Sequence, residues 1–289
     1  MIKNTAVIQR HSSERPRLRF VMLVPVLALF LGSCTFGGKV DPSAYVEPDP
    51  PGLLYNQGLA LLNAGEASKA REKFEEVDEQ HPYSEYARRS LILTAYLNFK
   101  RGDFPEAINA SRRYVQLYPA NKDAAYAQYI IGESQFRQIS DVTRDQGAAH
   151  RAIAAMNQVI QKYPDSEYVG DARRKIQVAR DQIAGKEMQI GRYYQERQEY
   201  LAAVNRFKSV VTNMQTTRHV EEALLRLTES YLALGIIPEA QTAAAVLGHN
   251  YPDSQWYADA YSLLTRGGIR PQENTGSWIS RAFRRGGAA

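Results

Sequence analysis

Apolar residues recur at helical spacing from Leu53 to about Leu264, and proline or glycine interrupts them at intervals. This stretch is rich in Ala, Leu, Glu, Arg and Gln, which favour helices, and it contains no convincing alternation of apolar and polar residues of the kind that predicts strands. Residues 35–52 instead carry several prolines and glycines, a composition that favours extended, solvated backbone. The pattern predicts an all-α domain that follows a proline-rich linker.

The interruptions divide the helical region into five units with a shared pattern. In each unit a first helix carries a small residue beside larger apolar ones, and a second helix carries an alanine followed four residues later by a second contact residue, as in tetratricopeptide-like repeats of about 34 residues. The small residues are Gly58, Ala95, Gly132, Gly191 and Thr228, and the second-helix alanines are Ala70, Ala107, Ala152, Ala203 and Ala240.

The internal spacing of the units supports this alignment. The second-helix alanine precedes a closing proline by 12 residues in units one, two, three and five, and the small residue precedes that alanine by 12 residues in units one, two, four and five. Small residues suit the point where two helices cross closely, and proline ends a helix because it lacks an N–H donor. The sequence therefore predicts a tetratricopeptide-like repeat superhelix of about five helix pairs plus extra helices.

Two departures from the pattern are informative. Unit three needs 20 residues where the others need 12, so an inserted loop or a lengthened helix is expected from about Gln138 to His150. Unit four has Gln215 in place of the closing proline, so its second helix is expected to run on or to bend differently. An additional helix is expected over Glu167–Ile183. The predicted division is N-terminal repeats 1–3 at 53–165 and C-terminal repeats 4–5 with the connecting helix at 166–265.

Three of the turns share the motif Pro-x-Ser-x-aromatic, at 82–86, 164–168 and 252–256. A serine in this position caps the next helix by accepting a hydrogen bond from a backbone N–H, while the aromatic residue packs back on the preceding helix. These residues are therefore interpreted as structural, and direct ligand contact is the alternative.

The N-terminal region predicts export. Arginines at 15, 17 and 19 precede an apolar run from Phe20 to Leu31, which is too short to span a bilayer but suits the core of a secretory signal. Leu31-Gly32-Ser33-Cys34 follows and resembles a bacterial lipoprotein signal, in which cleavage occurs before a cysteine that is then acylated. We expect a signal peptide at 1–33, lipidation of Cys34 and a linker at 34–52. An ordinary cleaved signal, or a short buried helix, is the alternative.

Cysteine and charge narrow the possible partners. Cys34 is the only cysteine, so an intramolecular disulfide is excluded. Residues 1–33 carry a formal charge of +4 and residues 266–289 another +4, which leaves −3 on residues 34–265. A mildly acidic body with a basic tail argues against a general nucleic-acid surface.

Motifs that carry catalysis are missing from the sequence. It contains no glycine-rich phosphate loop, no His-Glu-x-x-His pair and no Gly-x-Ser-x-Gly elbow, and its five histidines are far apart. The sequence therefore predicts no enzyme activity, no catalytic residues, no metal site and no cofactor. A site assembled in space from distant residues remains an alternative.

Repeat register places aromatic and basic residues of units one to three on the concave face. First helices line this face in stacked helical pairs. We expect a groove for an extended or helical peptide with aromatic side chains, whose terminal carboxylate the cations accept. The alternative is that many of these aromatics pack between helices. The candidate peptide-binding residues are Tyr55, Asn56, Arg89, Tyr96, Phe99, Lys100, Tyr126, Tyr129 and Arg137.

The basic tail at 266–289 is expected to be a separate binding element. Residues 277–285 have the spacing of a short amphipathic helix, with Trp278 and Phe283 on its aromatic face and arginines beside it. Such a helix suits anionic lipid or a partner protein. An unstructured end is the alternative.

The lipoprotein cysteine, the proline spacer, the five irregular repeats, the Pro-x-Ser-x-aromatic turns and the run from Ile190 to Phe207 together resemble the BamD (ComL) family. The resemblance covers nearly the whole chain after residue 33. It implies a subunit of the machine that assembles outer-membrane β-barrel proteins, anchored by lipid at the outer membrane and facing the periplasm. Thr35, which is not the aspartate of inner-membrane retention, agrees with that destination.

The same resemblance implies the partners. C-terminal repeats of the family bind the periplasmic domains of the central barrel subunit BamA, and N-terminal repeats are proposed to receive targeting segments of unfolded outer-membrane proteins; other lipoproteins of the machine are further partners. Arginines that cluster in units four and five are the candidates for the BamA contact, together with Trp278 and Phe283 of the tail. These arginines are Arg192, Arg197, Arg206 and Arg226.

Two other functions are consistent with repeats in an exported protein. A periplasmic scaffold that coordinates peptidoglycan synthesis or envelope constriction commonly carries a coiled-coil segment and no lipoprotein signal, whereas this chain has no visible heptad run. A lipid-anchored hydrolase requires a catalytic constellation that the sequence does not reveal.

Overall fold

Paired helices fill the part of the chain that the computed structural model describes, residues 49–286, and no strand occurs there. The all-α repeat fold is therefore confirmed. The helices are α1 Pro51–Asn63, α2 Ala67–Gln80, α3 Glu85–Arg101, α4 Phe104–Leu117, α5 Ala124–Arg137, α6 Gly147–Lys162, α7 Val169–Glu196, α8 Tyr200–Asn213, α9 Val220–Ala233, α10 Ile237–Asn250, α11 Gln255–Arg266 and α12 Trp278–Gly286.

The helices form two layers. From α1 to α11 each helix packs on the next one in the chain, and each odd-numbered helix also contacts the next odd-numbered helix. The backbones of the even-numbered helices from α2 to α10 do not pack on one another, and α2 and α4 are linked by the side-chain ion pair between Asp78 and Arg113. The first helices of the pairs therefore form a continuous inner layer, and grooves separate the second helices on the outer side.

Glycines at the crossing points explain why three of the pairs pack closely. A Cβ atom added at Gly58 would lie 2.6 Å from the ring of Phe74, and one at Gly191 would lie 2.4 Å from the ring of Phe207. Gly132 faces Met156 in the same way. In units two and five the small residue is Ala95 or Thr228, and the residue sixteen positions later is Ser111 or Ala244 instead of a large one. Across the helix pairs, a glycine on the first helix therefore faces a large side chain on the second, and a larger residue on the first faces a small one.

Ser84 and Ser254 make the predicted caps, whereas Ser166 makes a hydrogen bond within the turn and does not cap α7, whose N-cap residue is Tyr168. The hydroxyl of Ser84 accepts a hydrogen bond from the N–H of Ala87 at 3.0 Å, and that of Ser254 accepts one from Trp256 at 3.2 Å. Ser166 accepts a bond from the N–H of Tyr168 at 3.1 Å, one residue before α7 begins. The side chains therefore satisfy backbone donors that have no intrahelical partner.

The two departures in the repeat pattern have different outcomes. Residues 138–146 form an inserted loop between α5 and α6, one of the two predicted forms. The expectation that the second helix of unit four runs on or bends is wrong. Helix α8 ends at Asn213, which is the same position in the repeat as the last residue of the other second helices. The amide Nε2 of Gln215 donates to the carbonyl of Val211 at 2.9 Å, so this side chain satisfies a terminal carbonyl where other units have proline.

The predicted connecting helix is not a separate element. It continues into the first helix of unit four, so that α7 is a single helix of 28 residues. Helix α7 packs on the helices before and after it in the chain, α6 and α8. It also contacts the neighbouring first helices α5 and α9. Residues 49–286 form one compact unit. The division at residue 165 stays a prediction.

Several predictions fall on residues 1–48, which lie outside the described part: the signal peptide, Cys34 and most of the linker. The domain begins slightly earlier than predicted, because Pro51 is the first residue of α1, where a missing N–H costs no helical bond. None of the helices between residues 49 and 286 combines the length and the apolar character needed to cross a membrane.

Candidate functional site

The predicted aromatic residues of units one to three form a connected series along the inner layer. Tyr55 packs on Phe74 and Tyr86 with ring centroids 5.7 and 5.5 Å apart. Tyr55 and Tyr96 pack against the same buried cluster, and Tyr96 shares a second cluster with Phe99 and Tyr126. Each of the five predicted aromatics is half-buried, so each fills space between helices and leaves part of its ring exposed.

Tyr168 extends this series and was not predicted as a site residue. Its ring stacks on Tyr129 with centroids 4.9 Å apart and lies 5.4 Å from Tyr126. It belongs to the second Pro-x-Ser-x-aromatic turn, at 164–168, and that motif predicted only that the aromatic residue packs on the preceding helix. The aromatic surface therefore runs from α1 to the start of α7.

A cluster of charged residues lies at the end of the aromatic series. Lys175 of α7 forms ion pairs with Glu133 of α5 and, at 2.7 Å, with Asp171. Arg137 pairs with the other oxygen of Glu133 at 2.8 Å. The hydroxyl of Tyr129 donates to Asp171 and accepts from Lys175, both at 2.5 Å. Arg174 also pairs with Asp171 at 2.8 Å, so two carboxylates and three cations form one network.

Burial and pairing shift the pKa values in this cluster. Burial opposes the charged form of Asp171, but hydrogen bonds from Lys175 and Tyr129 outweigh it and lower the pKa of Asp171 to about 2. Burial also lowers the pKa of Lys175, and the bonds to Asp171 and Glu133 more than compensate, so its pKa lies above the ordinary lysine value. Burial raises the pKa of Tyr126 and of Tyr129 to about 12. Asp171 and Lys175 are therefore both charged, and both phenols are protonated, at neutral pH.

The predicted basic residues of the groove differ in availability. Arg89 pairs with Glu85 at 2.5 Å and lies over the ring of Tyr86. Arg137 is paired with Glu133 and lies 5.9 Å from the centroid of Phe99. Lys100 is exposed and has no ion pair within residues 49–286, and Asn56 is exposed as well. The groove can therefore offer aromatic faces, an amide and one unpaired cation to a peptide.

The four predicted partner-binding arginines occupy three different places. Arg192 of α7 and Arg226 of α9 are brought together by Glu222, at 3.0 and 3.3 Å. Arg226 also pairs with Glu229 at 2.9 Å. These residues lie on first helices, and the sequence did not reveal that two carboxylates already hold the guanidinium groups.

The other two arginines lie apart from that pair. Arg197 follows α7 and pairs with Glu199 at 3.1 Å, with its guanidinium 5.5 Å from the centroid of the Tyr193 ring. Arg206 lies on the second helix α8 and pairs with Glu187 at 3.4 Å. The structure therefore joins Arg192 with Arg226 and does not bring Arg197 or Arg206 into one patch with them.

The tail residues pack on the molecule's own C-terminal repeats. Trp278 and Phe283 are half-buried against the core that α8, α9 and α10 share. The indole Nε1 of Trp278 donates to the hydroxyl of Tyr231 at 3.0 Å, and the ammonium of Lys208 lies 4.9 Å from the indole. Residues 278–286 thus form the predicted short helix, and its aromatic residues have an intramolecular role.

Between residues 49 and 286 no three His, Cys, Asp or Glu side chains lie close enough together to hold a metal ion. What the arrangement provides is two surfaces, one aromatic on α1, α3, α5 and the start of α7, and one of paired charges on α7 and α9.

Comparison with known proteins gives consistent results. Residues 48–247 match a family model described as "YfiO: Outer membrane lipoprotein". An outer membrane protein assembly factor BamD of Caulobacter vibrioides is 45% identical over 85% of this chain and 80% of its own length. The proteins of the same name from Rickettsia prowazekii and Neisseria meningitidis are 41% and 30% identical over 83% and 84% of this chain, and over 94% and 96% of their own lengths.

Proposed function

The chain belongs to the BamD (YfiO) family of outer membrane lipoproteins, and from that membership we propose that it is a lipid-anchored adaptor subunit of the β-barrel assembly machinery. The observation that carries the proposal is the match of most of the chain, at 45% identity, to a relative named as an outer membrane protein assembly factor. An adaptor is a non-enzymatic role, and two separate surfaces on a repeat scaffold suit it.

The aromatic surface of units one to three is proposed to bind targeting segments of unfolded outer-membrane proteins. Half-buried aromatic rings are held rigidly by the helices, so a peptide's aromatic side chains can pack on them at little entropic cost. Lys100 is the cation best placed to accept a terminal carboxylate, because Arg89 and Arg137 are already paired. The proposed ligand is therefore an extended segment with aromatic residues near its carboxyl end.

A peptide that ends in phenylalanine tests this surface. We expect a fluorescent ten-residue peptide from the carboxyl end of an outer-membrane protein to bind the full chain, and its amidated form to bind about tenfold more weakly. Lys100→Glu should reduce binding of the free-acid peptide to the same degree. Lys122→Glu, another exposed lysine, is the matched control and should leave it unchanged. Equal binding of the acid and the amide would refute the carboxylate contact.

The C-terminal repeats are proposed to hold the periplasmic domains of BamA, with other lipoproteins of the machine as further partners. Arg192 and Arg197 are the two candidate arginines on or next to α7, and their side chains are 39% and 57% exposed. An acidic partner surface can compete with their present carboxylates. Trp278 and Phe283 would act in this contact by shaping α12, since both rings are half-buried.

Affinity purification from detergent extracts tests the proposed BamA contact through Arg192 and Arg197. Arg192→Glu/Arg197→Glu should reduce recovery of the barrel subunit by about tenfold or more through like-charge repulsion. Arg173→Glu, at an exposed arginine near the other end of α7, is the control and should leave recovery unchanged. Undiminished recovery with a folded double variant would show that this surface is not the contact.

The proposed location is the outer membrane, with the domain facing the periplasm and a lipid on Cys34. A single acyl chain binds a membrane only marginally, so stable anchoring of the domain requires more than one chain or a second contact. Incorporation of radiolabelled palmitate into the wild type but not into Cys34→Ala would support the anchor. Equal labelling of both proteins would place the lipid elsewhere.

A further inference from the structure

Two equivalent grooves lie on the outer side of the repeats, and only one of them is filled. The C-terminal groove lies between α8 and α10 with α9 beneath it, and α12 contacts both walls. The N-terminal groove lies between α4 and α6 with α5 beneath it, and it encloses a cavity of about 630 Å³. No described element of the chain covers that cavity.

The repeat register relates the two grooves residue by residue. Aligning the second-helix alanines Ala107 with Ala203 and Ala152 with Ala240, and the small residues Gly132 with Thr228, superimposes the walls and the floor. In this register Arg112, Val115, Ile131, Gln135, Arg151, Ala155 and Lys162 of the open groove correspond to Lys208, Val211, Leu227, Tyr231, Glu239, Ala243 and Asn250 of the filled groove.

The contacts of α12 show what such a groove holds. Ile279 is fully buried, and Trp278 lies under the ammonium of Lys208. The hydroxyl of Ser277 donates to Glu239 of α10 at 2.6 Å and so fixes the start of α12 against that wall. An amphipathic helix with two apolar residues and a polar first residue therefore fills a groove of this shape.

The open groove has the same apolar floor but the opposite charge. Val115, Ile131 and Ala155 retain an apolar character, while Arg151 stands where the filled groove has Glu239. Arg112, Arg151 and Lys162 line its rim, and within residues 49–286 no carboxylate lies within ion-pairing distance of any of them. The rim therefore favours an acidic occupant and repels a helix with the arginines of α12.

We propose that the groove between α4 and α6 is a docking site for an acidic amphipathic helix of a partner protein. Apolar side chains of that helix would pack on Val115, Ile131 and Ala155 as Trp278 and Ile279 pack on the C-terminal repeats. A carboxylate at the first position of that helix would pair with Arg151. This ion pair would take the place of the hydrogen bond between Ser277 and Glu239 in the filled groove. This site lies on the outer side of the second helices and is separate from the aromatic surface on the first helices.

A peptide pair derived from the chain's own tail provides the probe. The acidic peptide is residues 271–286 with Ser277→Asp, Arg281→Glu, Arg284→Glu and Arg285→Glu, and the basic peptide is the unaltered segment. We expect the acidic peptide to bind the full chain at least about tenfold more tightly than the basic one in fluorescence anisotropy. Stronger binding of the basic peptide would overturn the proposal and assign the groove to the tail of a second copy.

Two variants locate the binding. Ala154→Trp places a large side chain on the exposed wall of the groove and should abolish binding of the acidic peptide; Gln158→Trp tests the same wall if the first variant does not fold. Leu117→Trp, exposed on α4 outside the groove, is the matched control. Arg112→Glu/Arg151→Glu should reverse the preference between the peptides. Binding that survives Ala154→Trp, or no binding of the acidic peptide to the wild type, would refute the site.

Discussion

The crossing of α7 and α8 depends on one glycine, Gly191. Alanine is intrinsically better in a helix by about 1 kcal/mol, but its Cβ atom would lie 2.4 Å from the ring of Phe207, which is fully buried and cannot move freely. We therefore expect Gly191→Ala to lower the free energy of unfolding by about 1–3 kcal/mol, as overpacking does. Urea denaturation followed by circular dichroism measures this change.

Helix α7 supplies its own control. Gly170 lies in the same helix, is exposed, and the nearest atom to an added Cβ atom is the flexible Nη1 of Arg174 at 3.8 Å. Gly170→Ala should raise the free energy of unfolding by up to about 1 kcal/mol through helix propensity alone. Equal destabilisation by both substitutions would show that the close crossing is not the constraint.

Lys175 is the residue on which the charged cluster depends. The side chain of Glu133 is only 6% exposed, and Lys175→Met would leave its carboxylate with Arg137 alone. We expect a loss of about 3 kcal/mol in the free energy of unfolding, the low end for a broken buried pair because one partner remains. The double variant Lys175→Met/Glu133→Gln should recover most of that loss. No recovery would mean that lost packing, not the buried charge, causes the effect.

Asp171 makes the stability depend on pH in the acid range. Its pKa is lowered to about 2 in the folded chain, so its stabilising contribution is complete above the ordinary pKa of about 4 and is lost as the pH falls towards 2. Because the carboxylate is partly solvated, we expect Asp171→Asn to remove only about 1 kcal/mol of this dependence. Urea midpoints measured from pH 5 to pH 2 should therefore fall less steeply in the variant; identical slopes would contradict the prediction.

At this scale the sequence predicts volume better than charge pairing. Gly58, Gly132 and Gly191 were recognisable as crossing points because their spacing to the next helix is internal to each repeat. The pairing of Glu133 with Lys175 was not recognisable from the sequence. Lys175 lies on α7 and reaches α5 only because extra helical residues, which are outside the repeat period, follow the third unit. Ion pairs such as Arg192–Glu222 depend on contacts between repeats in the same way.

Among the elements, α7 shows how a sequence boundary disappears in the fold. The expected extra helix and the expected first helix of unit four join because nothing between Ile183 and Ile190 breaks the helical pattern except Gly185. That glycine instead permits a close approach: a Cβ atom there would lie 3.2 Å from Val142 and 3.3 Å from His219. The inserted loop at 138–146 and the turn before α9 therefore pack on the middle of α7.

Helix α12 is expected to stabilise the C-terminal pairs. Ile279 is fully buried, so Ile279→Ala should lower the free energy of unfolding by about 2–5 kcal/mol. The loss should be concentrated in the helices that α12 contacts, and hydrogen exchange should therefore accelerate in α8 and α10. Arg281→Ala, exposed on the same helix, should leave exchange unchanged. Unaltered exchange in the Ile279 variant would mean that α12 only rests on the repeats.

For the molecule as a whole, the contacts are nearest-neighbour. Among the other helices of the described chain, α1 and α2 contact only α3 and, through the Asp78–Arg113 ion pair, α4. Of these helices, α12 contacts only α8, α9 and α10. In such an arrangement stability is a sum of repeat and interface contributions, so the two ends can open separately. The proposed peptide surface and the proposed BamA contact therefore lie on parts of the chain that can unfold separately.

Phe74→Ala and Phe207→Ala test that independence. Each removes a fully buried ring at an equivalent position, and each should cost about 3–5 kcal/mol. In Phe74→Ala, hydrogen exchange should accelerate in α1 and α2 while α8 to α10 keep their protection, and recovery of the barrel subunit should be unchanged. Phe207→Ala should give the reverse pattern. Loss of protection along the whole chain in either variant would show that the repeats unfold as a single cooperative unit. Damage to the peptide surface would then weaken binding of BamA as well.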